Sequence, residues 1–121
     1  MICLDTNYLI YALRQDSPEC GEIREWVRLG IPLITSTLAW FEFINGPVSE
    51  KEIRLVRALL REIVPLGMAE TEEASRLFQC AGANRSLKID ACIAGTARVA
   101  GARIATRNRG DFSRFPDVDL C

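Results

Sequence analysis

Four carboxylates stand where the sequence predicts that a strand passes into a helix or a loop. They are Asp5, Glu42, Asp90 and Asp111, and three of them lie beside strongly apolar residues. An ionised carboxylate is costly in such surroundings unless another group compensates its charge. Converging acids repel one another, and a divalent cation is the simplest remedy because hard cations prefer carboxylate oxygens. Magnesium held at the end of a parallel sheet would indicate phosphate chemistry.

Length and composition limit the class of protein. A chain of 121 residues predicts one domain over residues 1–121. The hydrophobic share of 49% and the charged share of 26% are typical of a globular protein. No apolar run reaches the roughly 18 residues that a membrane helix needs, and no signal-peptide pattern opens the sequence. We therefore expect a cytoplasmic protein that does not contact a membrane.

Cysteine and histidine usage narrows the chemistry. The five cysteines are odd in number and contain no C-x-x-C pair, so neither a zinc site nor a disulfide framework is expected. Cys3 and Cys92 lie in apolar runs and are expected in the core. The chain has no histidine. This excludes a histidine general base, a Ser-His-Asp triad and a histidine-ligated metal.

Arginine is concentrated near the end of the sequence. The net charge of −1 does not by itself indicate a nucleic-acid-binding protein. One short stretch, however, carries five arginines against a single acid: Arg98, Arg103, Arg107, Arg109 and Arg114. This stretch has two interpretations: an ordinary solvated surface, or a rim that contacts phosphates. The residues alone do not decide between them.

Apolar runs and capping residues predict alternating strands and helices. The expected strands are 1–4, 32–35, 63–66, 102–106 and 118–120, and Pro65 suits an edge strand. The expected helices are 6–13, 18 to near 30, 37 to near 45, 50–61, 71–83 and 89–100. This alternation predicts an α/β fold with a mainly parallel sheet of four to five strands flanked by helices. In such sheets the site lies beyond the carboxyl ends of the strands.

Each acid also has a simpler structural interpretation. Asp5 has the residue type of a helix cap, and Glu42 fits the one polar stripe of an apolar helix. Asp90 suits the positive end of the sixth helix, and Asp111 suits a turn. Four acids at one topological position favour a shared site over four independent explanations.

Other acidic α/β sites fit the sequence less well. Haloacid-dehalogenase phosphatases need D-x-D after the first strand, but position 7 is Asn7. Response-regulator receivers need an acidic pair there and a late lysine, whereas no lysine follows Ile89. No glycine-rich loop of the nucleotide-binding type is present.

Four motifs in order carry a resemblance that extends over nearly the whole chain. They are Asp5-Thr6-Asn7 after the first strand, Glu42 with Gly46, Asp90-Ala91-Cys92-Ile93-Ala94, and Thr106-Arg107-Asn108-Arg109-Gly110-Asp111-Phe112. With these motifs the sequence resembles the PIN-domain ribonucleases, specifically the VapC-type toxins of toxin–antitoxin pairs. The resemblance implies a Rossmann-like sheet, one or two Mg²⁺ or Mn²⁺ ions among the acids, a homodimer, and a small antitoxin that occupies the groove. It also implies cleavage of RNA, often of a tRNA or ribosomal RNA.

Roles for individual residues follow from the resemblance and from metal chemistry. Asp5, Asp90 and Asp111 are expected as metal ligands, and Glu42 as a ligand of a second metal or as the residue that orients the attacking water. Thr6, Asn7, Thr106 and Asn108 are expected to orient carboxylates, and Arg107 and Arg109 to contact phosphates. Two alternatives stay open: a catalytically silent module that binds RNA or a protein, and a metal-dependent phosphatase.

Overall fold

The computed structural model describes residues 1–121 and contains one parallel sheet. Its strands are β1 (Ile2–Leu4), β2 (Leu33–Ser36), β3 (Glu62–Val64) and β4 (Arg103–Ala105). They lie in the order β3-β2-β1-β4, and every pairing is parallel. Cys3 at the centre of β1 pairs with Ile34 on one side and Ile104 on the other. The α/β fold with a parallel sheet of four strands is therefore confirmed.

Seven helices flank the sheet. They are α1 (Thr6–Tyr11), α2 (Pro18–Arg28), α3 (Thr37–Ile44), α4 (Glu50–Leu59), α5 (Met68–Cys80), α6 (Lys88–Ala100) and α7 (Arg109–Phe112). A single 3₁₀ turn at Arg85–Leu87 precedes α6. None of the helices combines the length and the apolar character needed to cross a lipid bilayer.

Local capping interactions explain where several helices begin and end. The Ser17 and Ser36 side chains accept hydrogen bonds from backbone N–H groups at the starts of α2 and α3. Ser49 and Glu52 form a capping box, with the Glu52 N–H donating to Ser49 Oγ at 3.1 Å and the Ser49 N–H donating to Glu52 Oε1 at 2.9 Å. Gly101 ends α6 at φ +69°, a left-handed conformation that glycine adopts without a steric penalty.

Several predicted boundaries were wrong. The second strand covers Leu33–Ser36 rather than 32–35, so Ser36 caps α3, which begins at the expected residue Thr37. The fifth helix begins at Met68 rather than at 71, since Thr71 lies inside the helix and its hydroxyl donates to the Gly67 carbonyl at 2.7 Å. The last predicted strand is reduced to one bridge between Leu120 and Ile104.

The core lies on both sides of β1 and extends to α6. All three β1 residues are buried, and Cys3 is fully enclosed. Cys92, predicted in the core, is only partly buried. In α6, Gly95 allows a close approach to α5. A Cβ atom at Gly95 would lie 2.7 Å from the backbone nitrogen of Ala74.

Replacing Gly95 with alanine should destabilise the protein. The added methyl group would push against the backbone of α5, which gives way less easily than a side chain, so we expect a loss of about 1–3 kcal/mol in the free energy of unfolding. Gly21→Ala is the matched control, because Gly21 also lies within a helix but an added Cβ there would meet no atom within 4 Å. This control should gain up to about 1 kcal/mol from helix propensity. Urea unfolding of both variants measures the difference, and equal midpoints would contradict the steric argument.

Candidate active site

The four acids come from four different elements at one edge of the sheet. Asp5 directly follows β1, and Glu42 lies in α3, which begins directly after β2. Asp90 lies in the first turn of α6. Asp111 lies in the short helix α7, whereas the sequence predicts it directly after a strand or in a turn. The parallel strands all end at this edge, which is where α/β sheets bind their ligands.

Asp5 is buried and held by three hydrogen bonds. Only 5% of the residue is exposed. The Thr6 N–H donates to Asp5 Oδ1 at 2.8 Å, so Asp5 also caps α1. The Thr106 hydroxyl donates to Oδ2 at 2.7 Å, and the Asn7 amide donates to the same oxygen at 3.4 Å. Burial raises the pKa of Asp5 and the negative charge of Glu42 adds to the rise, while the hydrogen bonds from Thr106, Thr6 and Asn7 oppose it.

Asn108 joins the two acids on the other side of the site. Its amide nitrogen donates to Asp111 Oδ2 at 3.0 Å and to Asp90 Oδ2 at 3.3 Å. Its backbone N–H donates to the Thr106 hydroxyl at 2.9 Å, and that hydroxyl donates in turn to Asp5. One short chain of hydrogen bonds therefore connects Asp5, Asp90 and Asp111.

Glu42 approaches the site from α3 and is exposed to solvent. The Thr6 hydroxyl donates to Glu42 Oε1 at 2.9 Å, which links Glu42 to the residue that follows Asp5. The structure thus brings all four predicted acids, together with Thr6, Asn7, Thr106 and Asn108, into one hydrogen-bonded group.

The electrostatic environment of Asp90 reflects this convergence. Burial and the negative charges of Asp5, Asp111 and Glu42 raise the pKa of Asp90 to about 6. The three other acids are therefore close enough for their charges to act on Asp90, as expected of a carboxylate among like charges.

A model of the PIN domain family matches residues 2–118. This chain belongs to the PIN domain family. Comparison with curated protein sequences gives no match.

Solved structures with the same fold support the assignment of the fold. A toxin-antitoxin complex from Klebsiella pneumoniae is 24% identical with a TM-score of 0.76, over 98% of this chain and 95% of that chain. VapBC2 from Rickettsia felis, bound to a DNA fragment from its promoter, is 20% identical with a TM-score of 0.76, and the match covers 100% of this chain and 98% of that chain. FitAcB from Neisseria gonorrhoeae is 20% identical with a TM-score of 0.75, and the match covers 99% of this chain and 96% of that chain.

The acids of this PIN domain have no basic partner. The five ion pairs of the protein all involve other carboxylates. The side chains as they stand do not gather three ligands around one point, and the Asn108 amide lies between Asp90 and Asp111. The four acids nevertheless supply carboxylate oxygens, which suit Mg²⁺ or Mn²⁺, and their uncompensated charge suits a cation.

The two arginines expected to contact phosphates make different contacts within the PIN domain. The Arg107 N–H donates to Asn7 Oδ1 at 3.1 Å, and its side chain forms an ion pair with Glu19 at 3.1 Å. Arg109 donates a hydrogen bond to the carbonyl oxygen of Cys121. Both residues are exposed. Glu19 was not among the residues predicted from the sequence, because nothing in the chain near it indicates a contact with Arg107.

Proposed function

We propose that this PIN domain is a metal-dependent endoribonuclease and the toxin of a toxin–antitoxin pair. The observation that carries the proposal is the group of four carboxylates at the carboxyl edge of the sheet, joined by hydrogen bonds and without a basic partner. The residues fit a hard divalent cation, and membership of the PIN family supports nuclease activity.

Asp5, Asp90 and Asp111 are the proposed ligands of Mg²⁺ or Mn²⁺, with Glu42 as the ligand of a second ion or as the residue that orients water. A bound cation would neutralise the acids, polarise a phosphate oxygen and activate a water molecule. Thr106 and Asn7 hold the Asp5 carboxylate in place, and Asn108 holds Asp90 and Asp111. These donors limit the rotation of the ligands before the cation binds.

Glu42 has an oxygen available for the attacking water. Its Oε1 accepts the hydrogen bond from Thr6, whereas Oε2 has no protein donor. In this proposal Oε2 accepts a hydrogen bond from the water that attacks the phosphorus, and the Thr6 hydroxyl keeps the carboxylate turned toward it. As the water oxygen bonds to phosphorus, the bond from phosphorus to the 3′-oxygen breaks and the upstream product leaves with a 3′-hydroxyl. A histidine base is not required, because the bound cation would activate the water.

The proposed partners are RNA, a cognate antitoxin and a second copy of the chain. Several structurally similar proteins are toxin-antitoxin complexes, which supports an antitoxin partner. Arg107 and Arg109 stay proposed RNA contacts because they flank Asn108 and are exposed. The homodimer, a tRNA or ribosomal RNA target, the cytoplasmic location and the single domain over 1–121 stay predictions.

Cleavage of RNA with a 5′-phosphate and a 3′-hydroxyl end is the expected result. The purified protein is incubated with total cellular RNA in Mg²⁺, in Mn²⁺ and in EDTA, and the cut ends are mapped. Attack by water leaves the phosphate on the 5′ side of the downstream product, and EDTA should abolish cutting. Ends with 2′,3′-cyclic phosphate would show that the ribose hydroxyl attacks and would refute this mechanism. Binding of RNA without cleavage in either metal would support a silent module, and hydrolysis of small phosphate esters alone would support a phosphatase.

A further inference from the structure

Two arginine side chains pack against the ring of Tyr11, at the end of α1. The guanidinium carbon of Arg107 lies 4.3 Å from the centre of the Tyr11 ring, and that of Arg14 lies 4.7 Å from it. Both distances are within the range of cation–π interaction. Arg14 is exposed and forms no ion pair. Two positive charges are therefore held around one ring, with one of them uncompensated.

This arginine pair adjoins the acidic site through the backbone of Arg107. The Arg107 N–H donates to Asn7 Oδ1 at 3.1 Å, and the amide nitrogen of Asn7 donates to Asp5. The neighbours of Arg107 in the chain are Thr106 and Asn108, which bind the acids. A polymeric substrate whose reacting phosphate lies at the acids would therefore bring another of its phosphates close to the arginine pair.

Glu19 holds the Arg107 side chain through its Nε atom. Its side chain is 10% exposed, and its Oε1 lies 3.1 Å from Arg107 Nε. The other oxygen, Oε2, is buried without a hydrogen-bond partner. A buried carboxylate oxygen without a donor is unfavourable, whereas the first turn of α2 and the ion pair with Arg107 both favour the charge of Glu19. Because Glu19 contacts Nε, the two terminal nitrogens of Arg107 are left for a bidentate contact with an anion, which is the geometry that guanidinium makes with phosphate.

We propose that Arg14 and Arg107, held on Tyr11, form a subsite for backbone phosphates of the RNA strand beside the acidic site, and that Glu19 is the residue that positions Arg107. This inference rests on the proposed function, since RNA is taken as the substrate. It adds Arg14 to the proposed RNA contacts, and Tyr11 and Glu19 as residues that position the arginines.

The test measures the salt dependence of RNA binding. The probe is a single-stranded oligoribonucleotide that contains a mapped cleavage site, bound in EDTA so that it stays intact. Each lost phosphate contact should reduce the slope of log K against log salt concentration by about 0.7. We expect this reduction, with weaker binding, for Arg14→Ala and for Arg107→Ala. Arg28→Ala is the matched control, because Arg28 lies on α2 about 14 Å along the helix axis from Glu19.

Glu19→Gln separates positioning from net charge. Removing an acid makes the protein more positive, so an effect through net charge alone would strengthen RNA binding. Loss of the ion pair should instead weaken binding by about threefold. The same substitution added to Arg107→Ala should cause no further loss, because Glu19 acts through Arg107. Stronger binding by Glu19→Gln, or equal losses with and without Arg107, would overturn the positioning role.

Three further outcomes distinguish failure of the subsite proposal from failure of the proposed nuclease function. If the wild type cleaves RNA while Arg14→Ala and Arg107→Ala keep its salt slope, the subsite is wrong and the nuclease function stands. If both variants lose affinity for poly-glutamate but not for the oligoribonucleotide, the pair binds acidic peptides and the proposal is overturned. If the wild type binds RNA through this pair but cleaves none in Mg²⁺ or Mn²⁺, the nuclease function fails while the subsite is supported.

Discussion

Asp90→Asn should lower RNA cleavage by at least about 100-fold, comparable to removing one electrostatic group that stabilises a transition state. The substitution keeps the shape of the side chain but removes a negative charge that the proposed cation needs. Asp5→Asn should have an effect of the same size on cleavage. The measurement is the initial rate of cleavage of a mapped oligoribonucleotide at saturating Mg²⁺. Near-wild-type cleavage by purified Asp90→Asn would refute the assignment of the acids.

Asp119→Asn is the matched control for this loss. Asp119 is exposed and lies near Gly101 and Arg103, at the amino end of β4 and so at the opposite edge of the sheet. Its substitution changes the net charge by the same amount as Asp90→Asn but leaves the acidic site untouched. We expect its cleavage rate to equal that of the wild type. A loss with both variants would mean that net charge, rather than the site, controls cleavage.

The same Asp90→Asn substitution should stabilise the protein when no metal is bound. Burial and repulsion from Asp5, Asp111 and Glu42 raise the pKa of Asp90 to about 6, so the charged form is unfavourable in the folded state. Mg²⁺ or Mn²⁺ at about 100 times its dissociation constant should add about 2.7 kcal/mol to the wild type. For a domain of this size that corresponds to a rise of roughly 10 °C in Tm. The variant should gain much less, because it has lost a ligand.

The pH dependence of this stabilisation has a definite sign. The pKa of an unfolded aspartate is about 3.9. Between that value and about 6, the folded wild type binds more protons at Asp90 than the unfolded chain does, so its stability falls as pH rises. In EDTA the advantage of Asp90→Asn should therefore be small near pH 4 and should grow up to about pH 7. Solvent screening reduces the stability advantage of Asp90→Asn, because Asp90 is only partly buried.

Asp5→Asn provides a contrast in the same melting series. Asp5 caps α1 and accepts hydrogen bonds from Thr6, Asn7 and Thr106, so its substitution loses favourable contacts together with the repulsion. We expect a neutral or lower Tm for this variant in EDTA. Calorimetry of the wild type and both variants, with metal and with EDTA, separates the possibilities. If metal shifts no Tm and Asp90→Asn is destabilising throughout, the acids act as independent structural residues.

Features that depend on nearby residues could be predicted from the sequence. Ser17 and the Ser49–Glu52 capping box mark helix starts because the hydrogen bonds lie within one turn. Gly101 marks a helix end for an equally local reason. Alternation of short apolar runs with helical segments indicated the parallel sheet, since a parallel pairing needs a crossover between its strands. The four motifs likewise indicated the PIN family, which the match over residues 2–118 confirms.

Boundaries set by packing were harder to predict. Thr37 and Ser36 are both good cap residues, and the extension of β2 beside β1 and β3 decided between them. Val118–Leu120 has the composition of a strand, but only Leu120 forms a bridge with β4. In both cases the local preference was compatible with two outcomes, and contacts with distant residues selected one.

The sequence by itself determined the fold class, the family and the edge of the sheet at which the acids lie. These features depend on the alternation of strands and helices along the chain and on short motifs, both of which are local properties. Only the tertiary structure decided how the acids are held. The bridge by Asn108, the hydrogen bond from Thr6 to Glu42 and the pairing of Glu19 with Arg107 join residues from separate elements. Such contacts depend on the angles and distances at which packed elements meet, and no spacing within a single motif encodes them.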